Sequence, residues 1–175
     1  MKNTVLRFND TLYLACIWIS GASIFAMSLI IPWGIFARYI LGTGSQWPEP
    51  VSVLLMVVFT FFGAAAAYRA GAHIAVAMVT DRVPVGLQRF FRLVVNLLML
   101  AVAIFMAVYG MKLCRETWGQ TIGQLPWMPV GATYLPVPLG GLITCVFILE
   151  FMALGPQWAR EVVTFDHEKI EAGTL

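Results

Sequence analysis

Residues 12–37 run without a single charged side chain. A hydrocarbon core about 30 Å thick asks for roughly 20 consecutive apolar residues at the helical rise, and this run exceeds that length. Three similar runs follow at 51–68, 93–111 and 136–154, the last broken only by Glu150. They are continuously apolar rather than alternating, which excludes a membrane barrel. With 60% hydrophobic and 11% charged residues, a soluble fold of this size has no means of hiding so much apolar surface. The expected class is an all-α integral membrane protein, a single domain over 1–175 with four transmembrane helices.

Lys2 and Arg7 precede the first run as they would in a secretory signal. A signal h-region is only about 7–15 residues long, and no small-x-small cleavage site follows, so an uncleaved first span is expected. Basic residues orient the bundle. With both termini on one side, that side holds Lys2, Arg7, Arg69, Arg82, Arg89, Arg92, Arg160 and Lys169, and the other holds Arg38, Lys112 and Arg115. Eight against three places both termini and the 69–92 connection in the cytoplasm.

The connections differ in character. Within RYILGTGSQWPEP, residues 38–50, Gly42 to Pro50 is expected to form a short outer turn. Gly42 and Gly44 let the backbone reverse, Trp47 is an interfacial anchor by type, and Pro48 and Pro50 fall where a missing N–H costs little. Glu49 then lies in the first turn of the second span, where a negative charge suits the helix dipole, with Arg38 across the turn as its expected partner. Residues 73–83 read as a short interfacial helix in the central cytoplasmic connection, with Ile74, Met78 and Val79 able to share a face, and Pro84 marks its end. The stretch GQTIGQLPWMPVGATYLPVP, rich in Gly and Pro, carries Trp127 and Tyr134 as interface-type aromatics and is expected to dip along the outer surface. The tail beyond Gly155 reads as a cytoplasmic cap.

Chemistry is sparse. The net charge of +2 and the lack of a basic run give a nucleic acid nothing to hold. Cys16, Cys114 and Cys145 form no CxxC motif or Cys/His cluster, so free thiols packed between helices are expected. His73 and His167 lie outside the apolar runs, which argues against a haem between spans. No phosphate-binding loop, nucleophile elbow or metal-ligand spacing is present, so neither an enzyme nor a cofactor is expected. Glu150, near the inner end of the fourth span, is the one ionisable group inside a run. A carboxylate there needs a partner or a proton. It reaches the inner interface, pairs with an arginine such as Arg69 or Arg89, or couples protons in a stand-alone small carrier.

Packing surfaces are more visible. Gly63 and Ala67 form a small-xxx-small pair that lets helix backbones approach. Arg69 and His73 stand one turn apart at the end of the second span, where Arg69 is expected to anchor on anionic lipid or to make a contact between subunits.

The order of these features resembles the small membrane subunit, DctQ-like, of tripartite ATP-independent periplasmic (TRAP) transporters. Arg38-Tyr39, then Trp47 and Glu49, Gly63-Ala64-Ala65, Arg69 with Gly71-Ala72-His73-Ile74, Pro84, and Pro126, Pro129, Tyr134-Leu135-Pro136-Val137-Pro138-Leu139-Gly140 carry the likeness across 12–154. Pro50 stands where the family often has a second acidic residue, and Ala77 where it often has an aspartate. The resemblance implies a scaffold in the bacterial inner membrane. It would support a large multi-span subunit that carries the substrate and sodium sites, and a periplasmic binding protein that delivers an organic acid such as a C4-dicarboxylate or sugar acid. Membrane phospholipid is the remaining expected partner. On this reading Glu49→Ala weakens co-purification with the large subunit more than Glu150→Gln does.

Overall fold

The computed structural model describes residues 2–43, 46–71 and 85–155. Helix α1 spans Lys2–Tyr39, α2 Pro48–Arg69 and α3 Val85–Thr117. An antiparallel hairpin of β1 (Thr121–Ile122) and β2 (Leu125–Pro129) leads through a short helix α4 (Val130–Tyr134) into α5 (Pro136–Leu154). Four stretches are long and apolar enough to cross a membrane: Val5–Tyr39, Pro48–Arg69, Leu93–Thr117 and Val130–Leu154. The expected interfacial helix at 73–83 and the tail beyond Gly155 lie outside the described residues.

Helix ends follow local chemistry. Beyond α1, Gly42 adopts a left-handed φ of 63°, which glycine reaches without a Cβ penalty. Thr43 then donates its N–H (3.3 Å) and hydroxyl (3.2 Å) to the Ala37 carbonyl, covering one of the acceptors a helix end leaves open. Both α2 and α5 begin on proline, whose missing N–H would be unpaired at that position anyway. Although the buried Ser20 hydroxyl has no partner among the described residues, Ser23, Ser28, Ser52, Thr60 and Thr144 each donate to the carbonyl four residues back. That keeps them from facing an apolar medium unpaired.

The first helix begins well before residue 12, because Arg7, Asn9 and Asp10 are all tolerated in a helix. The apolar run marks only the part suited to hydrocarbon. The hairpin was not expected from sequence, since two residues pairing with an irregular register leave almost no alternation to read.

The helices pack in the sequence α1–α2–α5–α3. Tyr13, Cys16, Ala65, Ala66 and Phe147 form the buried core. Many large apolar side chains, Trp18, Phe25, Leu29 and Phe105 among them, are exposed on the outside of the bundle, as suits helices whose solvent is lipid. The α5 helix approaches both α2 and α3 closely. A Cβ on Gly140 would stand 2.8 Å from the Phe61 Cβ of α2, and one on Gly141 would stand 2.9 Å from the Ala103 carbonyl oxygen of α3. Gly63 and Ala67 are packed less tightly within this chain. A Cβ on Gly63 would make only ordinary contact, 3.5 Å from Ser20 Oγ, and Ala67 is half-buried while Ala65 and Ala66 beside it are buried.

Candidate functional site

Because successive spans reverse direction, the start of α1, the end of α2 and the end of α5 meet at one end of the bundle. Each supplies a charge there. Arg69, the last residue of α2, donates from Nε to Glu150 Oε2 (2.8 Å) and from Nη2 to Glu150 Oε1 (2.9 Å), a bidentate fork. The same Nη2 donates to Asp10 Oδ1 of α1 at 2.7 Å. The side chains of Arg69 and Glu150 are 2% and 1% exposed, so these are interior charges. Bidentate charge-assisted bonds are the strongest such pairs make, and burial charges so deeply demands them.

Two rings complete the arrangement. The guanidinium carbon lies 5.5 Å from the centre of the Tyr13 ring and 5.4 Å from that of Phe147, within cation–π range. Tyr13 follows Asp10 by three residues on α1, and Phe147 precedes Glu150 by three on α5. Residues three apart in a helix share a face, so each helix presents a carboxylate and an aromatic ring together. Nearby, Tyr68 donates its hydroxyl to Asn96 Oδ1 of α3 at 3.2 Å and meets Phe151 of α5 edge-on. The polar cluster and its neighbours thereby link all four long helices.

This geometry corrects one expectation. Arg69 is neither a lipid anchor at the surface nor a free contact for another subunit; its Nε and Nη2 are engaged inside the bundle, and Nη1 is buried with no partner among the described residues. Glu150 takes the pairing with Arg69. Residues Asp10, Tyr13 and Phe147 escaped the sequence reading because Asp10 lies just outside the apolar run and the rings look like ordinary core. The three-residue spacing of carboxylate and ring on both helices is the signal that would have found them. His73 lies outside the described residues. Among the described residues no cluster of His, Cys, Asp and Glu could hold a metal.

The opposite end holds the other candidates. Arg38 Nη2 is 3.8 Å from Glu49 Oε2, and both side chains are more than half exposed. Tyr39 is exposed, Trp47 and Tyr134 partly so, Trp127 is 76% exposed on the hairpin, and Pro136 is buried. The turn between α1 and α2 and the hairpin both belong to this end, where α4 packs on α3 and touches α2. Gly131 makes the first contact possible, since a Cβ there would stand 2.5 Å from the Cys114 carbonyl oxygen. An exposed ion pair contributes about 0–1 kcal/mol, so Glu49→Ala is expected to change thermal stability by less than about 1 kcal/mol. A larger loss in a detergent melting curve would show that the pair does more than sit on the surface. For stability of the chain itself, the larger expected loss lies at the buried Glu150.

Together these features define a multi-span membrane subunit whose interior charges are consumed in holding its own helices. The comparisons agree on where such a chain belongs. The family described as "Tripartite ATP-independent periplasmic transporters, DctQ component" matches residues 27–155. The ectoine TRAP transporter small permease protein TeaB of Halomonas elongata is 30% identical over 130 residues, 73% of this chain and 66% of that protein. A TRAP transporter small permease protein of Haemophilus influenzae is 20% identical over 149 residues, 85% of this chain and 89% of that one. The chain belongs to the DctQ component family and is a small permease subunit of a TRAP transporter.

Proposed function

We propose that this chain is the scaffold subunit of a sodium-coupled importer in the bacterial inner membrane, with no substrate site of its own. It supports a large multi-span transport subunit and helps dock a periplasmic binding protein. The substrate is a small carboxylate-bearing solute, with C4-dicarboxylates and sugar acids the leading classes. The relative named for ectoine is the reason to keep other small solutes in the test panel. Both termini and the 69–92 connection face the cytoplasm. Setting Arg69 aside as buried leaves seven basic residues against three, and the asymmetry keeps its sign.

The observation that carries the reading is the fate of Glu150. A proton-coupling carboxylate must be able to exchange its proton along a pathway. Glu150 is instead gripped by both arms of the Arg69 fork and is 1% exposed. That speaks against the alternative, a stand-alone carrier working through Glu150. In liposomes with an inward sodium gradient, the chain alone is expected to move none of a panel of dicarboxylates, sugar acids and ectoine. Uptake should appear only when the large subunit and the binding protein are added. Sodium-driven uptake by the chain alone would overturn the scaffold reading.

A further inference from the structure

Two grooves run along the seam between α1 and α2 and meet at Ile31. The outer one, of about 300 Å³, is walled by Ile31, Gly34, Ile35, Pro48 and Val53, with Arg38 and Glu49 at its mouth. The deeper one, of about 500 Å³, is walled by Ile24, Met27, Ile31, Pro32, Met56 and Phe59. From Arg38 down to Ile24 the seam extends about 21 Å at the helical rise. One leaflet's hydrocarbon half-thickness is about 15 Å, so the seam can take an acyl chain along its length.

The mouth has a specific charge pattern. Arg38 Nη2 and Glu49 Oε2 are 3.8 Å apart, beyond hydrogen-bonding distance, so cation and anion stand side by side without a mutual hydrogen bond. Tyr39 and Trp47, aromatics of the interfacial type, adjoin them in the chain. The geometry points to a phospholipid site for a headgroup with a primary ammonium, of the phosphoethanolamine class. Arg38 donates to the phosphate, Glu49 accepts from the ammonium, and one acyl chain lies in the seam. A partner helix suits the seam less well. Close helix packing uses small residues, whereas these walls are mostly Ile, Met, Val, Pro and Phe, with Ser28 and Ser52 the small residues besides Gly34. The one glycine in the outer groove is already covered, since a Cβ on Gly34 would stand 2.9 Å from the Pro48 Cβ.

The inference rests on this end of the bundle lying at a membrane surface, and not on the transport assembly. The test uses the full chain, delipidated in detergent, and counts bound lipid by native mass spectrometry. Three lipids with identical acyl chains are compared: phosphatidylethanolamine, phosphatidylcholine and phosphatidylglycerol. The choline headgroup cannot donate to Glu49, and the glycerol headgroup has no cation. Ethanolamine lipid is expected to be retained roughly fivefold over either, the factor that about 1 kcal/mol of an exposed charge contact supplies. Glu49→Gln should erase the preference over choline lipid, and Arg38→Gln should weaken retention of all three. Ile31→Trp should fill the seam and expel lipid while leaving both charges in place, with circular dichroism reporting the fold. Equal retention of the three lipids by the wild-type chain would overturn the site, as would unchanged preference in Glu49→Gln. So would loss of the lipid on co-expression with the large subunit, which would make a protein helix the occupant. None of these results bears on sodium-driven uptake.

Discussion

Arg69→Met is expected to destabilise the chain by about 3–5 kcal/mol, the range seen when one partner of a buried ion pair is removed. The methionine fills much of the same space, so the cost is electrostatic. Asp10 and Glu150, drawn to one cation, would face each other without it. Arg69→Lys keeps the charge but loses the planar fork that grips both Glu150 oxygens and should fall between methionine and wild type. Neutralising the whole cluster with Asp10→Asn, Arg69→Met and Glu150→Gln should recover part of the loss, because no uncompensated charge is then buried. Unfolding in detergent followed by circular dichroism is the measurement. If Arg69→Met cost no more than Arg38→Met on the exposed turn, the cluster would not be holding the bundle.

The second large effect belongs to α5. Gly141→Leu is expected to cost about 1–3 kcal/mol or more, as overpacking does. A first side-chain carbon there would stand 2.9 Å from the Ala103 carbonyl oxygen and 3.0 Å from the Ala107 nitrogen. Backbone of α3 cannot step aside as a flexible side chain can, so the two helices must separate. Gly63→Ala is the matched control. Its added carbon meets Ser20 Oγ at 3.5 Å, and alanine is the better helix former by about 1 kcal/mol, so this change should be neutral or stabilising. Equal losses at Gly63 and Gly141 would contradict the assignment of the close approach to α5.

These two expectations divide unevenly between what could be read beforehand and what could not. Four spans were legible because lipid is an unforgiving solvent. A run of apolar residues long enough to cross it is written residue by residue. Glu150 was legible as an anomaly for the same reason, since a charge at that depth needs a partner. Which arginine it would meet was not legible: Arg69 lies 81 positions away, and the choice depends on how α2 and α5 rotate about their axes. Asp10 was missed because the start of the apolar run was taken as the start of the span. Gly140 and Gly141 were present in the string, but so was Gly63, and all three satisfy the same small-residue rule. Only the crossing of α5 over α2 and α3 separates them.

The sequence by itself determined that this chain crosses a membrane in four helices. It also determined that its apolar interior carries a single acidic residue within those runs, and that the turn between the first two spans is built from glycine, proline and a charged pair. Those are properties of composition along one dimension, set by the fit between each segment and its solvent. The tertiary structure decided that Arg69 turns inward to Asp10 and Glu150 between two rings, and that α5 packs tightly on both α2 and α3. It also left Arg38 and Glu49 open at the head of an apolar seam. The physical reason is that pairing and packing are set by helix rotation and crossing, which depend on many side chains fitting at once.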